Sequence, residues 1–378
     1  MPGSELIGLK EKKIVQSIFD NGGILSARGH DKIRKNYHVR EFEQLCCKKF
    51  ISKYALAVSS GTAAIKIGLK ALGVNKGDEV ITQAFNFVAT VEAIYDIGAI
   101  PKIANVDQTL NMDVTDCEKL ITSKTKVILP VHMLGVPADM TKIISLAKKY
   151  RIRVLEDNCE SVGSKHNKNY AGTIGDVSAL SFDFGKIITT GEGGMLLTND
   201  KKIDKYIKEY HDHGHENNTN LPRGLDTVTI PGFNYRMFEI QGAIGKIQLS
   251  KLDYIIRENK KKYMVLDKLL SKYFEKRKIL KNNEIIYDAF IFYVRDKKIK
   301  KSIVELLNKE KFGTKNLPDA INWHCSYFWK HIIEANQVKR SKKTYDILSY
   351  SIAIPIYVKR KSLNDYKELA GKIISIIK

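Results

Sequence analysis

From about residue 40 to residue 200 the apolar positions switch repeatedly between helical and strand-like spacing. In REFEQLCCKKF, residues 40–50, they fall three and four apart, which predicts a helix. YALAVSS is a short apolar run of strand type. It leads directly into GTAAIKIGLKALG, an amphipathic helix stopped at Gly73. EVITQAF and IPKIANVD predict strands around the helix VATVEAIYDIG. KVILPVHML and IRVLEDNC predict buried strands around the helix TKIISLAKKY. VSALSFDF and GGMLLTND are extended and joined by GKIITTGE. Such alternation, with strands apolar along their length, predicts an α/β fold with a largely parallel sheet covered by helices. Ligands in such sheets sit beyond the carboxyl ends of the strands.

After residue 200 the pattern changes. KIDKYIKEYHDHGH is helical and then polar, and 208–235 reads as a long loop. FEIQGAIGKIQLSKLDYIIRENKKKYMVLDKLLSKYF predicts a pair of helices. Residues 275–378 mix the short strands IIYDAFIFYVR and AIPIYV with helices, as a smaller α+β unit does. The expected division is a large domain over 1–250 and a small one over 251–378.

A chain of 378 residues, 43% hydrophobic and 28% charged, can fill a sizeable core. That excludes a disordered chain, a short disulfide-stapled domain and a fibre. No apolar run approaches the roughly 20 residues of a membrane span. The opening MPGSELIGLKEKK lacks the order of a secretory signal, so a cytoplasmic protein is expected. Five cysteines with no C-x-x-C pair predict reduced, mostly buried thiols. The net charge of +21 raises nucleic acid as a partner. Yet residues 251–378 alone carry 30 Lys and Arg against 14 Asp and Glu, dispersed along predicted helices. With no zinc-finger spacing and no condensed Arg tract, the reading is no nucleic acid. What remains is a solvated lysine face or a field that draws in an anionic small molecule.

Three segments carry chemistry. SSGTAAIK, 59–66, sets Ser, Gly61 and Thr62 at a strand-to-helix turn, where free N–H groups suit a phosphate or a plain N-cap. VLEDNCES, 154–161, ends a buried strand in Glu156 and Asp157, with Glu160 a short turn on. Asp157 there suits a protonated ring nitrogen, a helix cap or a metal. LSFDFGKIITTGEGGMLLTND, 180–200, holds Lys186 in a Gly-flanked turn between buried strands. Burial and nearby cations are expected to lower its pKa and make the amine nucleophilic toward carbonyls. Lysine also forms an imine with pyridoxal phosphate, whose pyridinium nitrogen takes an acid partner. A phosphate turn, an acid at a strand end and a buried lysine are what such an enzyme needs.

SSGTAA, EDNCESVGS, SFDFGKIITTGEGGMLLTND and GFNYRMFEIQGAIGKIQL resemble the DegT/StrS family of sugar aminotransferases, collinearly from about residue 1 to 255. The resemblance implies a fold-type I pyridoxal phosphate transferase, aspartate aminotransferase-like. It implies Lys186 as Schiff-base lysine and proton shuttle, Asp157 at the pyridinium nitrogen and Phe87 stacked on the ring. Gly61, Thr62 and Ser181 would hold the phosphate, and Glu160 would lie near the ring hydroxyl. Asn234 would reach the phosphate of a neighbouring subunit, which implies a homodimer with a shared active site. L-Glutamate is the implied amino donor, and a keto or aldehyde sugar for cell-surface polysaccharide the acceptor. MPGSELIG, DHGHENN and NWHCSYFWKH further resemble the branch that makes 8-amino-3,8-dideoxy-manno-octulosonate, which implies an 8-oxo sugar acid as acceptor. The competing acceptor is a nucleotide-linked 4-keto-6-deoxysugar, as in perosamine-type pathways, and the non-enzymatic alternative is a regulator that binds the cofactor. His215, Arg223, Arg236, Trp323 and His324 are substrate-side candidates. The alternating His211, His213 and His215 lack zinc spacing, so no metal is expected.

Overall fold

The computed structural model describes residues 2–218, 220–221 and 223–378. Seven strands form the main sheet: β1 (Tyr54–Val58), β2 (Glu79–Gln83), β3 (Ile100–Ala104), β4 (Thr125–Ile128), β5 (Arg153–Asp157), β6 (Val177–Ser181) and β7 (Gly194–Thr198). Their spatial order is β1-β7-β6-β5-β4-β2-β3. From β3 to β6 every pairing is parallel. β7 is antiparallel to both β6 and β1, so the sheet is mixed. The segment between β6 and β7 makes a turn at the sheet edge instead of crossing over, and β7 returns antiparallel. That turn carries Lys186.

The strands read as continuous apolar runs because both faces are covered. Leu56, Leu155, Val177 and Leu196 pack on one face; Ala55, Ala57, Leu180, Met195 and Leu197 pack on the other. The helix Gly61–Ala71 starts where β1 ends, and its N-cap Ser60 Oγ accepts from the Ala63 N–H at 3.1 Å. β1, β5 and β6 all present their carboxyl ends to one edge, where Ser60, Asp157 and Ser181 meet.

Beyond the sheet, the sequence predicted two helices; the structure has one, Glu239–Leu270, 32 residues long. Gly242 and Gly245 in its first turns are contact points. A Cβ on Gly245 would sit 2.7 Å from the Phe42 ring, so the helix passes close over His38–Phe50. Its first half buries Leu249, Leu252 and Ile255 against the main sheet, and its second half buries Tyr263, Leu266 and Leu270 in the C-terminal core. That core surrounds a two-stranded antiparallel sheet, β8 (Ala289–Tyr293) with β9 (Ser351–Pro355). Phe290, Phe292, Ile303, Leu307, Tyr366 and Leu369 fill it.

The five cysteines are free thiols. Among the described residues, no helix is long and apolar enough to cross a membrane. No cluster of His, Cys, Asp and Glu among them is arranged to hold a metal ion.

Candidate active site

A cavity of about 330 Å³ opens at the carboxyl edge of β1, β5 and β6. Gly61, Thr62, Phe87, Asp157, Glu160, Ser181, Lys186 and His324 all line it. Segments far apart in the chain therefore meet there. Trp323 is absent from the lining. It is 61% exposed and stacks on Phe87 with ring centroids 6.5 Å apart. The two sit together because the 323–326 backbone pairs with 84–88: Asn86 N–H donates to the His324 carbonyl and Val88 N–H to that of Trp323.

Asp157 is buried, and both carboxylate oxygens are held. Thr90 Oγ1 donates to Oδ2 at 2.8 Å and the Cys159 N–H to Oδ1 at 3.1 Å. Glu156, the preceding acid, points the other way. It accepts from the N–H groups of Gly172, Ile174 and Gly175 and pairs with His132 at 3.0 Å, which makes it a fastener of the fold.

Lys186 Nζ lies 3.5 Å from Glu160 Oε1. Burial pulls the lysine pKa down, but Glu160, with Cys159, Asp183 and Asp157, outweighs it, and the net direction is upward. This corrects the sequence expectation of a lowered pKa: the neighbours are acids, not cations. Burial pushes the Glu160 carboxyl up, yet Lys186, His324, Lys315 and the Leu134 N–H together hold it down at about 2. Burial lowers the pKa of His324. Its Nδ1 bonds the Ala320 carbonyl at 2.8 Å, so that nitrogen carries the proton.

Several of these groups had no signal in the sequence. Thr90 anchors Asp157 from the first turn of the helix Ala89–Asp96. Asp288, Lys315 and Asn316 form a wall contributed by the C-terminal part of the chain. Arg277, buried, donates to the carbonyls of Thr109 at 2.5 Å and Met133 at 2.8 Å. It steadies Leu134, whose backbone is left-handed (φ 48°) and whose N–H donates to Glu160 Oε2 at 3.3 Å.

The remaining candidates lie off the cavity. Asn234 is exposed, and its Oδ1 accepts from the Arg236 N–H. Arg236 directs its guanidinium to the buried Asp212. His215 is half-buried, with Nδ1 3.7 Å from Asp226 Oδ2. The side chain of Arg223 lies outside the described residues.

The site fits pyridoxal phosphate on two counts. The lysine amine and the anchored Asp157 carboxylate are the donor set its ring takes. The first turn of the helix Gly61–Ala71 lies on the cavity wall with Ser60 and Thr62, where its N–H groups suit a phosphate, and only glycine fits at 61, because a Cβ there would lie 2.9 Å from Ser181 Cβ and 3.0 Å from Cys159 Sγ. A mixed seven-stranded sheet with this site at its carboxyl edge is the fold-type I pyridoxal phosphate aminotransferase fold. The chain is similar over its length to the aminotransferase of Psychrobacter cryohalolentis, with TM-score 0.87, 24% identity and 98% of each chain covered, which shows the shared fold. Residues 21–370 match the DegT/DnrJ/EryC1/StrS aminotransferase family, and the chain belongs to it. It is 40% identical over 248 residues to the GDP-perosamine synthase of Escherichia coli O157:H7, covering 65% of this chain and 65% of that protein. It is 36% identical over 254 residues to the spore coat polysaccharide biosynthesis protein SpsC of Bacillus subtilis, covering 66% and 63%. The match thus spans a little under two thirds of the length of these relatives.

Proposed function

We propose that this protein is a pyridoxal phosphate-dependent aminotransferase that transfers the amino group of L-glutamate to the keto carbon of a nucleotide-linked 4-keto-6-deoxysugar for surface polysaccharide, and that it acts as a homodimer. The observation that carries the reading is the meeting of the Lys186 amine, the anchored Asp157 carboxylate and the Gly61 helix terminus on one cavity. The perosamine synthase among the relatives supports a nucleotide-linked acceptor over the octulosonate aldehyde that the shorter tracts imply.

In this reading the first turn of the helix Gly61–Ala71, with Thr62 and Ser181, takes the phosphate. Asp157, fixed by Thr90, faces the ring nitrogen. The bound cofactor supplies an electron sink that acidifies the C–H bond beside the substrate nitrogen. Lys186 takes and returns that proton at Nζ, as a positioned general base and acid does. With no cofactor bound, Glu160 and its neighbouring acids hold the Lys186 amine toward its charged form. Asn234, exposed and off its own cavity, reaches toward the site of a second copy. Glutamate leaves as 2-oxoglutarate, and the sugar carbonyl becomes an amine.

The test is Lys186→Ala with L-glutamate and GDP-4-keto-6-deoxymannose, the amino sugar read by mass. Turnover should be lost; near-normal product would overturn the assignment. An octulosonate aldehyde in the same panel separates the two acceptor classes.

A further inference from the structure

Opposite Lys186 the cavity wall comes from Asp288, Lys315, Asn316 and His324. Its charges cancel: Lys315 Nζ pairs with Asp288 Oδ2, and burial keeps His324 toward its neutral form. Two buried polar atoms on this wall have no hydrogen-bond partner, the acceptor Asp288 Oδ1 and the donor Asn316 Nδ2. The Asp288 side chain is only 4% exposed, so an unmade bond there is costly. Lys315 and His324 both act on Glu160, which places the wall within reach of whatever reacts at Lys186.

Resting on the sugar aminotransferase reading above, we propose that Asp288 and Asn316 form a subsite for the hydroxyl next to the reacting carbonyl of the acceptor. A hydroxyl donates once and accepts as well, and these are the two kinds of bond that the carboxylate oxygen and the amide lack. A carboxylate or phosphate oxygen without a proton has nothing to donate to Asp288 Oδ1. The wall therefore selects a neutral α-hydroxy carbonyl, and it rejects an acceptor lacking that hydroxyl because its own polar atoms are then left unpaired.

The test compares kcat/KM of the holoenzyme for GDP-4-keto-6-deoxymannose and for its 3-deoxy counterpart. A hydrogen bond to a charged group predicts that wild type favours the hydroxylated acceptor roughly 10–100-fold. In Asn316→Gly, which keeps the left-handed backbone at this position (φ 67°), and in Asp288→Asn, that ratio should fall toward one. The ratio compares two substrates on one enzyme preparation, so a partly folded variant does not distort it. A wild-type ratio near one, or a ratio unchanged in both variants, overturns the subsite while leaving the aminotransferase reading intact. Amination of neither acceptor by wild type overturns the nucleotide-sugar reading, and the subsite falls with it.

Discussion

Replacing Glu160 by Gln removes the carboxylate that faces Lys186 and leaves an amide of nearly the same shape. The native environment holds the Glu160 carboxyl at about 2, against 4.5 for a free glutamate side chain. At 1.36 kcal/mol per pH unit, that difference stabilises the folded protein by about 3 kcal/mol at neutral pH. The folded-state pKa is the lower one, so this contribution is complete above 4.5 and is lost as the pH falls toward 2. Linkage puts about 2 kcal/mol of the loss between pH 7 and pH 3. Lys186 is the mirror case: its raised pKa stabilises below 10.5 and is lost as the pH rises through the folded value. Urea unfolding of cofactor-free wild type and Glu160→Gln at pH 7, 5, 4 and 3 checks this. Wild type should lose about 2 kcal/mol more than the variant over that span, and the variant should also show a weaker alkaline loss. Parallel acid profiles for the two proteins would refute the argument that Lys186 and its neighbours hold the carboxylate ionised.

Gly61→Ala places a methyl group 2.9 Å from Ser181 Cβ at the helix terminus, which has to shift. Affinity for pyridoxal phosphate, measured by fluorescence titration of the stripped protein, should fall roughly tenfold or more, as a lost charge-assisted hydrogen bond predicts. Arg277→Met leaves the buried Thr109 and Met133 carbonyls short of a donor. Unfolding in urea should then show a loss of about 3 kcal/mol, since each unsatisfied buried group costs roughly 1–3 kcal/mol.

The alternation of strands and helices was legible because a sheet buried on both faces leaves continuous apolar runs, and each helix carries one apolar stripe. Gly61, Thr62, Asp157, Glu160, Ser181 and Lys186 meet at one cavity because β1, β5 and β6 end at the same edge, while Phe87 follows β2 and His324 is carried in by the pairing of 323–326 with 84–88. Gly242 and Gly245 weaken a helix on propensity alone, and only the close approach of His38–Phe50 shows what they are for. Arg277 was invisible because it works through backbone carbonyls, and Thr90 because one hydroxyl in an apolar helix leaves no pattern. The sign of the Lys186 shift was missed for a different reason. The +21 net charge is concentrated in a lysine-rich exterior after residue 250 and is screened by solvent. A half-buried amine responds instead to the few groups within several ångströms. The cavity supplies Asp157, Glu160, Asp183, Glu192 and Asp288 against Lys186 and Lys315. The field at Lys186 therefore has the opposite sign to that of the chain as a whole. An anionic cofactor or substrate entering this acidic cavity relies on the helix terminus and on Lys315, and cations from a second copy would add to them in the homodimer proposed above.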